Sequence, residues 1–134
     1  MAEKIVICDT DVMIDYWNEN SQRHSSTKRI VEDSIGLNNI MLTSITQMEL
    51  IVGSLNKADL NRINKNIHQF RIALIDNNIS QSAIKLLQTY RLSHGLALPD
   101  SLIAATALIL DLELFTYNIK DYKFIDGLVL FNTD

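Results

Sequence analysis

The chain has 134 residues, 47% of them hydrophobic, which suits a single domain over residues 1–134 with a core of its own. One proline, four glycines and a single cysteine, Cys8, argue against disordered, collagen-like and repeat-rich β architectures and exclude an internal disulfide, so a reducing compartment is expected. The net charge of −4 is unfavourable for a nucleic-acid binder. If four acids served a metal ion, however, the remaining twelve would balance the 12 Lys and Arg.

The opening MAEKIVICDT has too short an apolar run for a signal peptide. The longest apolar stretch, Leu102 to Leu110, falls well short of the ~20 residues that a membrane span needs. A soluble, cytoplasmic protein with no membrane partner is expected.

In chain order, Lys4 to Cys8 is a β-branched apolar run without alternation, as in a parallel strand buried on both faces. Asp9 follows it, and Val12, Met13, Tyr16 and Trp17 then fall at helical spacing, so a helix starts near Asp11. Thr27 to Ile35 reads as a second helix stopped by Gly36, and Ile40 to Thr43 as a second strand. Ser44 and Gln47 have the spacing of a capping box for a helix whose apolar stripe is Ile45, Met48, Val52 and Leu55. Asp59 to Gln69 predicts a more polar helix, and Ile72 to Ile75 a third strand. Ala83, Leu86, Leu87 and Tyr90 define an amphipathic helix from Ser80 that Gly95 would end. Pro99 suits the start of a further helix running to about Leu110, apolar almost all round and so buried. Leu114 to Tyr117 and Leu128 to Phe131 would be the last strands. The alternation predicts a three-layer α/β/α sandwich on a parallel sheet of about five strands.

The acids that stand out lie at element junctions. Asp9 ends the first strand, where ligands of open α/β sheets bind. Glu49 lies one turn into its helix, Asp100 in the first turn of the buried helix, and Asp121 and Asn118 just after the strand from Leu114. Carboxylate oxygens suit Mg²⁺ or Mn²⁺, the ions that support phosphodiester hydrolysis. His24, His68 and His94 are scattered and form no zinc set with Cys8. Taken singly, Asp9 could be a helix cap, Asp100 a macrodipole partner and Glu49 a solvated side chain. Two basic groups, Lys57, Arg62, Lys65 and Arg71 on one hand and Arg23, Lys28 and Arg29 on the other, read first as solvated helix faces.

The stretches IVICDTDVMIDYW, TSITQMELIVGS, LALPDSLIAATAL and LFTYNIKDYKFIDGLVL, in that order and spacing, resemble the PIN-domain family and within it the VapC-type toxins of toxin–antitoxin pairs. The resemblance covers almost the whole chain. It implies a Mg²⁺- or Mn²⁺-dependent endoribonuclease in which Asp9 and Asp100 are the primary metal ligands. Glu49 would hold a metal or its water, and Asp121 or Asn118 would be the fourth polar position. Thr10 and Thr116 match the hydroxyls beside the first acid and in the last strand, and Asp11 is an additional acid. RNA would be the substrate, with Lys57, Arg62, Lys65 and Arg71 as a guiding stretch. A VapB-type antitoxin and a second copy of the chain would be the protein partners.

Two rival readings differ in class. Asp9 and Asp11 approximate the Asp-x-Asp opening of haloacid-dehalogenase-like phosphohydrolases, as nucleophile and acid/base. Met13 departs from that pattern, and no convincing later lysine or paired-acid motif follows. A non-catalytic PIN-like RNA-binding module is the other, opposed by the presence of Asp9, Glu49 and Asp100 together.

Overall fold

The computed structural model describes residues 4–133. Four parallel strands lie in the order β3-β2-β1-β4: β1 (Val6–Cys8), β2 (Ile40–Thr43), β3 (Arg71–Ala73) and β4 (Glu113–Phe115). The helices are α1 (Thr10–Trp17), α2 (His24–Arg29), α3 (Ser44–Val52), α4 (Lys57–Ile67), α5 (Asn77–His94) and α6 (Leu98–Leu110). β1 is central, and all three of its residues are buried, which explains its unbroken apolar run. Successive side chains leave a strand on opposite faces. Val6 and Cys8 accordingly join Val12, Met13, Val31 and Phe115 in one core, and Ile7 joins Ile45, Ile103, Ala104 and Leu114 in the other. The expected sandwich is therefore present, with one strand fewer than anticipated.

The missing strand is Leu128 to Phe131. It reaches β4 through a single parallel bridge, Leu114 to Leu130, with backbone bonds to Leu114 from either side at 3.0 and 2.8 Å. Three other local expectations change. The second helix starts at His24 and continues from Ile30 to Ile35 as a π-helix, closed by Gly36 at φ 94°. The α3 cap is Thr43, whose hydroxyl accepts from the Thr46 amide at 3.1 Å. Ser44 is instead the first helical residue, and its buried hydroxyl has no hydrogen-bond partner. Lastly, only Ile45 of the α3 stripe is buried. Met48 is 53% exposed and Val52 85%, and Leu55, beyond the helix, is also exposed.

Gly95 ends α5 in the left-handed conformation, as its position predicts, and the chain turns directly into α6. Pro99 sits in the first turn of α6, and the helix is buried from Ser101 through Ala107 except at Leu102. No helix among the described residues is long and apolar enough to cross a membrane.

Candidate metal centre

Strand register begins the site. Cys8 pairs with Phe115, so the next residues, Asp9 and Thr116, leave adjacent strands side by side. The Asp9 amide donates to the Phe115 carbonyl at 2.9 Å, and the Thr116 hydroxyl donates to Asp9 Oδ2 at 2.8 Å. Asp9 Oδ1 accepts from the Thr10 amide at 2.8 Å, capping α1. Both oxygens are thus oriented by the scaffold, and the residue is only 5% exposed.

Glu49 approaches from α3. Thr46 and Glu49 are three residues apart on that helix and so share a face. Thr10, opening α1, meets both: its hydroxyl donates to Glu49 Oε1 at 2.7 Å and lies 3.0 Å from Thr46 Oγ1. Asp100 comes from the first turn of α6, and the Tyr122 hydroxyl donates to its Oδ1 at 3.1 Å. Asp121 ends the short 3₁₀ turn Ile119–Asp121, immediately before Tyr122.

The carboxylates feel one another. Burial raises the pKa of Asp9, opposed by the Thr116 hydroxyl, the Thr10 amide and the Tyr122 hydroxyl, with Glu49 adding to the rise. Burial likewise lifts Asp100 to about 6; Tyr122 opposes this, while Asp9, Asp121 and Glu49 push it further up. The Tyr122 phenol, nearly fully buried, is held far above its ordinary range by burial and by Asp9 and Asp100. Asp121 therefore belongs to the electrostatic cluster. Asn118 is exposed, and its backbone amide donates to Thr116 Oγ1 at 3.0 Å.

This donor set suits a hard divalent cation on two counts: every candidate donor atom is a carboxylate oxygen, and neighbouring acids push the pKa values of Asp9 and Asp100 up. Their side chains are not gathered around one point, however. Among the described residues no three Asp, Glu, His or Cys side chains are placed to hold an ion together. Asp9, Glu49 and Asp100 are instead each tied to a protein hydroxyl: Thr116, Thr10 and Tyr122 respectively.

Asp11 is committed elsewhere. Its Oδ1 accepts from the Val12 amide at 2.8 Å and its Oδ2 from the Tyr117 amide at 3.0 Å, which pins α1 to the exit of β4. Burial and Asp9 raise its pKa to about 6. The phosphohydrolase reading needs Asp11 as a free acid/base, and both its oxygens are occupied by backbone amides. Burial and then the neighbouring charges of Asp9 and Asp11 raise the Cys8 thiol pKa, so Cys8 is a core residue rather than a nucleophile.

The expected basic stretch is dispersed. Arg62 is ion-paired with Asp59 on its own helix, and Arg71 donates to the Asn38 carbonyl at 3.3 Å. Lys57 and Lys65 are exposed on α4. Of the four, only Arg62 lines the groove of about 290 Å³ that reaches Glu49, together with Ile14, Trp17 and Ile63. Sequence reasoning missed Tyr122 and Thr46. Their positions, directly after Asp121 and three residues before Glu49, were the available signals.

Comparison with known proteins places the fold. The model for the PIN domain matches residues 6–126. A toxin–antitoxin complex from Klebsiella pneumoniae contains a chain 31% identical, with 92% of this chain and 95% of that one covered and a TM-score of 0.74. FitAcB from Neisseria gonorrhoeae is similar at 24% identity, 96% and 98% coverage and a TM-score of 0.77. VapC20 of Mycobacterium tuberculosis, described as a Sarcin-Ricin loop cleaving toxin, shares the fold at 14% identity, with 92% and 98% coverage and a TM-score of 0.67. No curated protein sequence matches the chain. With a family model spanning residues 6–126 and a similar chain at 31% identity over 92% of its length, the chain belongs to the PIN domain family.

Proposed function

We propose that this protein is a divalent-metal-dependent endoribonuclease, the toxin of a VapBC-type toxin–antitoxin pair. The observation that carries the proposal is the neighbouring negative charge felt by Asp9, from Glu49, and by Asp100, from Asp9, Asp121 and Glu49, at one end of a PIN-type sheet. In this reading Asp9 and Asp100 hold Mg²⁺ or Mn²⁺, with Glu49 and Asp121 beside them. When bound, the cation supplies Lewis acidity: it offsets charge on the phosphoryl oxygens and eases the ionisation of water. Thr116 fixes the rotamer of Asp9 and Thr10 that of Glu49, so the chain itself sets the orientation of both acids. Tyr122 holds Asp100 through its hydroxyl and also bears on Asp9. Asp121 supplies the fourth charge, in preference to Asn118.

The similarity to toxin–antitoxin complexes supports a VapB-type antitoxin as the protein partner. The groove bounded by Ile14, Trp17 and Arg62 leads to Glu49 and suits a segment with apolar side chains. The exposed apolar face of Met48, Val52, Leu98 and Pro99 is assigned to contact between two copies of the chain. The non-catalytic alternative leaves the retained acids without a task.

The test is direct. Purified protein incubated with total RNA should cleave it in Mg²⁺ or Mn²⁺, stop in EDTA, and be inactive as Asp100→Asn. Cleavage that survives either EDTA or the substitution would overturn the proposal.

A further inference from the structure

Arg23 is used by nothing described so far, yet it is held in place within electrostatic reach of Asp11, which in turn feels the charge of Asp9. Its guanidinium carbon lies 4.4 Å from the centroid of the Tyr117 ring, and Nη1 lies 3.5 Å from Asp15 Oδ2. The ring beneath it is fixed on three sides. Phe115 meets it edge to face at 5.3 Å, Thr27 Oγ1 lies 2.5 Å from its hydroxyl, and its backbone amide donates to Asp11. The loop carrying Arg23 is also tied down. Ser21 donates its hydroxyl to Asp15 Oδ1 at 2.7 Å and accepts from the Arg23 amide at 3.2 Å.

A short path links this cation to the acids: Tyr117 carries it, and Thr116, the residue before, donates to Asp9. The Arg23 side chain remains 55% exposed. A guanidinium has five N–H donors in a planar fork that matches phosphate oxygens. The ring and one distant carboxylate do not use them up. Holding such a group rigid and half in water serves packing little: an exposed cation–π contact contributes about 0.5–1 kcal/mol. It suits an anion that must approach a wall of carboxylates.

We infer that Arg23, seated on Tyr117 and tethered by Asp15, binds a backbone phosphate of the RNA strand next to the phosphate that is cleaved. The inference rests on the endoribonuclease reading and names a contact that places the substrate.

The experiment measures binding of a fluorescent oligoribonucleotide to Asp100→Asn protein, which leaves the RNA uncut, with and without Arg23→Gln or Arg23→Lys. Arg23→Gln should weaken binding about tenfold and reduce the slope of log affinity against log salt by about one. Arg23→Lys should keep the slope and lose about threefold in affinity, because the charge stays and the fork goes. In protein with Asp100 intact, Arg23→Gln should raise KM and leave kcat near wild type. Unchanged affinity and slope in Arg23→Gln would overturn the inference, as would a fall in kcat at constant KM. If wild-type protein cleaves RNA and Arg23→Gln matches it in both constants, only this inference fails. If wild-type protein neither binds nor cleaves RNA, the nuclease reading fails first and takes this one with it.

Discussion

Two junctions of strand and helix stand side by side at the site and are built to the same plan. In each, a helix follows a strand at once, and the residue at the junction caps the helix: Asp9 just after β1, Thr43 at the end of β2. They deliver their acids differently. At the first junction the cap is itself the acid, buried and held by an amide and a hydroxyl. At the second the acid is Glu49, farther along an exposed stretch of helix and held through the single hydroxyl of Thr10. The first acid is as rigid as the backbone that carries it, whereas the second can adjust. That difference suits a primary metal ligand at Asp9 and a group that handles water at Glu49.

Substitutions can break this contrast, and their expected effects are graded. Asp9→Asn should lower RNA cleavage by about a thousandfold, ~4 kcal/mol of barrier, with the fold kept, as circular dichroism would check. Glu49→Gln should cost less, about a hundredfold. Equal losses at the two positions would erase the distinction. Thr10→Val removes the hydroxyl that orients Glu49 and leaves Asp9 with the Thr10 amide. It should slow cleavage about tenfold, and Thr10→Ser should restore most of that rate.

Tyr122 tests the other half of the cluster. Its hydroxyl donates to Asp100 and so lowers a pKa that burial has raised to about 6. Tyr122→Phe should therefore move the acid limb of the cleavage pH profile to higher pH. An unmoved limb would separate Tyr122 from the chemistry. The raised pKa also has a consequence for stability. Between the unfolded value of ~3.9 and the folded value of about 6, the folded protein binds more protons than the unfolded chain. The Asp100 contribution is thus most favourable below the unfolded pKa and is lost as pH rises through the folded one. Metal-free Asp100→Asn should gain in melting temperature on wild type as pH rises from ~4 to ~6, then keep a constant lead. The smallest effect on activity is expected of Val52→Asp on the exposed face of α3. Sedimentation should show it converting a dimer to monomers, with RNA cleavage per chain little changed.

The sequence carried the large features because each rests on a local rule. The unbroken apolar run before Asp9 marks a doubly covered strand, Gly95 a left-handed stop, and the apolar helix from Pro99 a buried one. The fifth strand was lost because its segment meets β4 at one bridge only, something its apolar run cannot reveal. The exposure of Met48 and Val52 on α3 was not legible, because an apolar stripe facing solvent has the same spacing as a packed one. The capping box misled by one residue, since Thr43 and Ser44 are both competent caps and only the backbone conformation at Thr43 decides. Order and spacing single out Asp9, Glu49 and Asp100 as candidates. The role of Tyr122 beside Asp100 was not legible, because a phenol beside a carboxylate leaves no periodic trace.

The central claim is that Asp9 and Asp100 form a site for one hard divalent cation. Calorimetric titration with Mn²⁺ at pH 7.5 tests it most directly. Wild-type protein should bind Mn²⁺ saturably, and Asp9→Asn and Asp100→Asn should each abolish that binding while folding normally. Equal binding by the variants, or none by the wild type, would contradict it.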